Sequence, residues 1–241
     1  MLGLIGGTAL EHLALENARK CLVDTPWGSP SGPLTLGRFG SKDIVWLNRH
    51  GEHHTIPPHR VNYRANIAAL AGQGVQGIIA INAVGGITPA MVVGTLVLPH
   101  QLIDYTWGRT QSFFDRDDEQ VIPVDFTQPY DEDLRRRLLD VAGAAGIDLV
   151  DGAVHGVVQG PRLETAAEIL RMERDGCDLV GMTGMPEAGL AREKGIPYVS
   201  LGMVVNPAAG KNEEPITLDY IGRVLAGATP RLMALLEAFC R

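Results

Sequence analysis

The sequence predicts an α/β fold, a single domain with a central mixed, largely parallel sheet flanked by helices. Three observations carry this. Short β-branched and apolar runs recur without polar alternation, as strands covered on both faces do. Segments with helical periodicity and recognisable boundaries lie between those runs. Hydrophobic residues make up 45% and charged residues 20% of 241 positions, enough to bury one sizeable core.

The elements follow in order. Leu4-Ile5-Gly6-Gly7-Thr8 reads as a short strand that runs into a glycine turn, and Ile44–Leu47 is the next buried run. Pro57-Pro58 opens a helix in which Val61, Ala65, Ala68 and Ala69 share a face and Gly72 or Gly74 ends it. Strands are expected at Ile78–Ile81 and Leu96–Leu98. Residues 107–130 carry Asp115, Arg116, Asp117, Asp118 and Glu119 and read as an exposed, solvated excursion. A helix over Asp131–Ala145, a strand over Val154–Val158 and a helix over Thr165–Asp175 come next. The strand Tyr198–Val205 and a C-terminal helix Leu218–Phe239 complete the series. No linker, repeat or low-complexity tract divides it, so residues 1–241 are read as one domain.

Charge and cysteine content narrow the function. Lys plus Arg number 21 and Asp plus Glu 28, a formal net charge of −7. A binder of nucleic-acid strands presents a broad basic surface, and none is available here. A bound anion must therefore sit in a local pocket, where a few donors overcome the overall field. Cys21, Cys177 and Cys240 are widely spaced and odd in number, which argues against a disulfide framework or a structural zinc site. No apolar run reaches the roughly 18 residues of a membrane span. The N-terminus lacks the basic segment of a secretory signal, so the expected setting is cytoplasmic.

Four motifs and one further pair of segments, around Met182 and Asn206, could carry chemistry. Gly6-Gly7-Thr8 lets backbone approach an anion and offers the Thr8 hydroxyl; a plain strand-to-helix turn reads equally well. Asp24 lies near the distance of a ribose-binding carboxylate, but Gly3, Gly6 and Gly7 do not have dinucleotide-loop spacing. Asn48-Arg49-His50 follows a strand end, where open α/β sheets bind ligands. Arg49 supplies a planar fork of donors and His50 a donor that can be charged, which suits an oxyanion such as phosphate. A metal held by His50, His53, His54 and His59 is the rival there, as is a solvated loop; the spacing fits no familiar metal motif, and none is expected. Asn82-Ala83-Val84-Gly85-Gly86 could add backbone donors, or only pack tightly. Glu164, in the run Gln159–Thr165, could accept from a ligand N–H or sit in the first turn of a helix. Met182 could face a flat ligand or the core. Asn206 ends a buried strand, where its amide can both donate and accept on one heterocycle edge.

Taken in order, these motifs resemble the trimeric branch of the purine nucleoside phosphorylase superfamily, and within it the methylthioadenosine phosphorylase group. The resemblance rests on IGGT at Ile5–Thr8, NRHGEHHTIPPHRVNYRANIAAL at Asn48–Leu70, INAVGGI at Ile81–Ile87 and LPHQLIDYT at Leu98–Thr106. It continues through QGPRLET at Gln159–Thr165 and GMTGMPEAGLARE at Gly181–Glu193. It implies that phosphate attacks the anomeric carbon of a nucleoside while the purine leaves. By resemblance Thr8, Arg49, His50, Asn82, the Ala83 backbone and Thr183 hold phosphate, with Met182 at the ribose. Glu164 and Asn206 face the purine, Leu163 and Ala208 lie around it, and Leu218 and Ile221 lie near the 5′ substituent. Asn206, His50 and Glu164 are the expected catalytic groups. Phosphate is a co-substrate, no cofactor is needed, and a homotrimer is implied, with residues 121–130 a candidate contribution from a neighbouring subunit. No nucleic acid or membrane partner is expected.

Departures from the family pattern point to specificity. Where methylthioadenosine phosphorylases usually carry acidic residues, this chain has Asn206 and Ala208. Glu164 accepting N1–H, with Asn206 bridging O6 and N7, suits a 6-oxopurine; adenine would face Glu164 with a bare acceptor, a mismatch that can discriminate by about 10⁴. Residues 216–224 offer Leu218 and Ile221 but no histidine for a 5′-hydroxyl. An apolar 5′-methylthio group therefore fits, and S-methyl-5′-thioinosine is the expected substrate. Inosine or guanosine, methylthioadenosine, and non-catalytic nucleoside binding are the alternatives. Leu163 replaces a frequent aromatic, and Asn82 replaces a common Thr or Ser.

Overall fold

The structure is a computed structural model that describes residues 1–115, 122–212 and 216–241. Its strands are β1 (Leu2–Gly6), β2 (Glu16–Cys21), β3 (Leu34–Phe39), β4 (Lys42–Asn48), β5 (Ile78–Gly86), β6 (Leu96–Leu98), β7 (Gln101–Asp104), β8 (Leu149–Asp151), β9 (Val154–Val157), β10 (Leu179–Gly181) and β11 (Tyr198–Pro207). Helices are α1 (Tyr63–Gly72), α2 (Glu132–Ala145), α3 (Ala166–Arg174), α4 (Glu187–Glu193) and α5 (Leu218–Phe239).

The strands form one sheet in the order β2-β3-β4-β1-β5-β10-β9-β7, while β11 pairs with β5 and β6, and β6 with β8. The centre β4-β1-β5-β11 is parallel, as is β10-β9-β7, and β2, β3, β6 and the β10–β5 contact add antiparallel pairs. Alternation of side chains along each central strand builds two cores. Leu4, Ile44, Trp46, Ile79, Ile81, Leu201 and Met203 pack with Leu138 of α2 and Leu232 and Leu236 of α5. The alternate residues Ile5, Val45, Leu47, Ile78 and Ala80 pack with Ile67 and Leu70 of α1 and Leu190 of α4. Helices thus cover both faces, which is why β5 and β11 are mostly apolar and lack polar alternation.

β5 is where the sheet divides. One of its edges pairs with β1 through Ile78–Ala80 and with β10 through Gly85 and Gly86. Between those contacts, residues 81–84 have no strand neighbour on that edge, while β11 runs along the other edge. A gap therefore opens beside Ala83, bounded by the carboxyl ends of β1 and β4.

Several sequence expectations shift. The segment after Pro57-Pro58 splits into a single 3-10 turn, Pro58–Arg60, and α1, which starts only at Tyr63 behind the Asn62 cap. Glu164 is not in a first helical turn: Thr165 caps α3 and closes a capping box with Glu168, so Glu164 stands just outside. The excursion over residues 107–130 is anchored rather than free. Phe113 and Tyr130 are buried, Trp27 packs edge-on against Phe113, and Arg64 pairs with Asp115. Arg116, Asp117, Asp118, Glu119 and Val121 lie outside the described residues. No helix among the described residues is long and apolar enough to cross a membrane.

Candidate active site

A cavity of about 590 Å³ occupies the gap at the carboxyl ends of β1, β4, β5 and β11. Thr8, Arg49, His50, Ala83, Leu163, Glu164, Met182, Thr183, Asn206 and Ile221 all line it. Residues separated by more than 200 positions in the chain meet there because four parallel strands end on the same side of the sheet.

Arg49 anchors the floor. It follows β4, and its backbone N–H donates to Gly6 O at 2.9 Å, tying the ends of β4 and β1 together. Its side chain is 1% exposed. Nε and Nη2 donate to the two carboxylate oxygens of Glu187 at 2.8 Å each, and Nη1 donates to Ile81 O at 3.1 Å. Burial works against the charge, but Glu187 outweighs it and holds the guanidinium pKa above its ordinary value. Three of five N–H groups are thus engaged, and two remain for a ligand. Gly7 makes this approach possible, since a Cβ there would lie 2.7 Å from Nη1 of the pinned guanidinium.

His50 departs from the sequence expectation of a donor that can be charged. Its Nδ1 donates to Ile56 O at 2.8 Å, and burial followed by the neighbouring Arg49 lowers its pKa to about 4. The imidazole is neutral near pH 7, with Nε2 as an acceptor. The His54 ring packs 4.6 Å from it, and His54 also reaches Thr8 Oγ1 at 3.5 Å and Glu11 at 3.0 Å. Among the described residues no three His, Cys, Asp or Glu side chains converge as a metal set.

On the opposite wall Thr183 donates its hydroxyl to Asn82 Oδ1 at 2.8 Å. Asn82 itself is 2% exposed and lies behind Thr183 rather than on the cavity wall. Glu164 is partly buried, and desolvation raises its pKa. Asn206 Nδ2 donates to Pro207 O at 2.7 Å, leaving one amide N–H and the amide oxygen for the cavity. Bridging both O6 and N7 of a purine would require the amide to swing off Pro207. Ala208 does not reach the cavity: it packs with Ile87, Ile169 and Val180. Ile221, in the first turns of α5, is on the wall; α5 begins at Leu218, whose side chain lies outside what is described.

The arrangement brings Arg49, Thr8, Thr183 and Ala83 into one cavity with Glu164 and Asn206, a set of groups whose chemistry suits an anion beside a polar heterocycle. The sequence pattern of the phosphorylase superfamily matches residues 1–241. The chain belongs to the phosphorylase superfamily. It is 52% identical over 242 residues to a probable S-methyl-5′-thioinosine phosphorylase of Xanthomonas campestris, covering all of this chain and 97% of that one. A protein of the same description from Pseudomonas syringae is 50% identical, with 97% and 95% covered. A 6-oxopurine nucleoside phosphorylase of Pyrococcus furiosus is 37% identical, with 98% and 91% covered. The methylthioadenosine phosphorylase of Schistosoma mansoni, solved with adenine, superposes with a TM-score of 0.92 at 30% identity, over 99% of this chain and 90% of that chain.

Within this superfamily site, the sequence leaves Glu187 and the backbone acceptor Ile81 without a role, and it offers His54 only as a metal ligand. Glu187 lay inside the quoted GMTGMPEAGLARE, and the signal was there: an acidic residue directly after a proline, opening a helix otherwise rich in small apolar residues. Its partner, 138 positions away, was not readable without the fold.

Proposed function

We propose that the protein catalyses phosphorolysis of S-methyl-5′-thioinosine, giving hypoxanthine and 5-methylthioribose 1-phosphate. The observation that carries this is Glu164 and Asn206 facing one cavity with Arg49 and Thr183. Phosphate bound at Arg49 and the Ala83 edge attacks the anomeric carbon, and its charge stabilises the oxocarbenium-like transition state. Negative charge gathering on the leaving purine is met by the free Asn206 N–H at N7 or O6. Glu164 accepts N1–H, and the burial that raises its pKa also strengthens it as an acceptor. Holding both reactants together supplies much of the acceleration, about 7–11 kcal/mol in favourable systems. Ile221 gives the 5′ end an apolar wall.

The relatives that carry the thioinosine name at about half identity support the choice of nucleoside. The reading includes phosphate as co-substrate with no cofactor, the homotrimer implied by the resemblance, and a cytoplasmic setting. Base release from methylthioinosine, inosine and methylthioadenosine, with and without phosphate, tests it. Phosphate-dependent release fastest from methylthioinosine is expected. Preference for methylthioadenosine would overturn the roles of Glu164 and Asn206, and binding without release would make this a nucleoside-binding protein.

A further inference from the structure

The direction of one hydrogen bond behind the cavity wall decides which anions the cradle accepts. Ala80 O can only accept, so Asn82 must turn its amide nitrogen towards it, at 3.3 Å, and that nitrogen also reaches Ser200 Oγ at 2.7 Å. The amide oxygen is then forced to face Thr183, and the Thr183 hydroxyl donates its only proton to it. Asn82 is 2% exposed and Ser200 1%, so no water competes for these positions. Towards the cavity, Thr183 Oγ1 has lone pairs and no proton.

An anion in this cradle therefore meets donors from Arg49 and the Ala83 edge and an acceptor at Thr183. A bare oxygen against a buried acceptor leaves both unpaired, whereas an oxygen that carries a proton satisfies the acceptor. We propose that Asn82 is a specificity-determining residue that orients Thr183 as an acceptor, so that the site selects oxyanions bearing an O–H group, as hydrogen phosphate does and sulfate does not. This inference rests on the proposed phosphate site. The two dianions match in charge and nearly in size, so selection between them reads hydrogen-bond direction rather than field.

The test is direct calorimetric binding of sodium phosphate and sodium sulfate to the full chain at pH 8 and equal ionic strength. Phosphate is expected to bind at least about tenfold more tightly than sulfate. In Asn82→Thr the new hydroxyl can donate to Thr183 and free its proton, so the ratio is expected to shrink several-fold through tighter sulfate binding. Asn82→Ser is read in the same way should the first variant not fold. Equal affinities in the unchanged protein, or no detectable binding of either anion, would overturn the inference. A wide ratio that survives both substitutions would remove Asn82 from it. The nucleoside assay run in parallel separates the two readings. Absent phosphorolysis with intact anion selection defeats the proposed reaction alone, while intact phosphorolysis with no selection defeats the inference alone.

Discussion

At the scale of single residues, the site is built from groups whose partners are hidden. Glu187 is 0% exposed and holds Arg49 through two bonds, while Tyr198 Oη donates to the same carboxylate at 2.7 Å. It touches no ligand position; it is a positioning residue. Glu187→Gln keeps the shape but loses the charge that fixes the fork. We expect the phosphate KM to rise about tenfold or more, with the nucleoside KM nearly unchanged, in steady-state assays varying each substrate. Glu187→Ala strands a buried cation and is expected to cost about 3–5 kcal/mol in denaturant unfolding. The histidines add a pH effect. Burial lowers His155 to about 4, as it does His50, and neither His155 ring nitrogen has a partner among the described residues. Both stay neutral in the fold and take a proton more readily once unfolded. Stability is therefore full above about pH 6.5 and falls between there and about pH 4, by up to about 1.4 kcal/mol per pH unit for each histidine. Denaturant midpoints measured from pH 7 to pH 4 check this, and His155→Gln should flatten the profile. Arg49 and Asn206 are legible as residues because a charge or an amide stands at the end of an apolar run, and Glu164 because it stands in a polar loop before a helical pattern. The neutral state of His50 was not, since it depends on Ile56 O and on burial.

At the scale of elements, long buried strands and capped helices were legible and short or polar ones were not. The runs that became β6 and β11, and the helices α2, α3 and α5, stand close to their expected bounds, whereas β5 continues past the expected end at Ile81 to Gly86. β2, with the exposed sequence Glu16–Cys21, and the three-residue β8 and β10 take their strand state from neighbours, which no local period records. β5 also has an end that tolerates little change. A Cβ on Gly86 would lie 2.2 Å from the backbone oxygen of Met91, where no side chain can swing aside. Gly86→Ala is expected to destabilise by more than about 1 kcal/mol and to disturb the β5–β10 contact. Thermal unfolding of the variant, with phosphate binding read alongside, measures both.

At the scale of the whole molecule, an acidic chain of net charge −7 builds the proposed anion site on an arginine already paired with a glutamate. The pocket relies on the direction of its donors more than on net charge, so moderate salt should weaken phosphate binding less than it would at an unpaired cationic surface. Asn206→Asp should move preference from methylthioinosine towards methylthioadenosine, and unchanged specificity in the three-nucleoside assay would count against its role. The division of the sheet at β5 has one more consequence. Backbone N–H groups alternate between the two edges of a strand, and the Ile81 carbonyl, two residues before Ala83, already points into the gap towards Arg49. The Ala83 amide shares that edge and has no strand partner there. In hydrogen–deuterium exchange it should lose protection relative to Ala80 in the free protein, and slow markedly when phosphate saturates the site. A break in the ladder thus becomes a built-in isotope reporter of occupancy, readable without nucleoside or turnover.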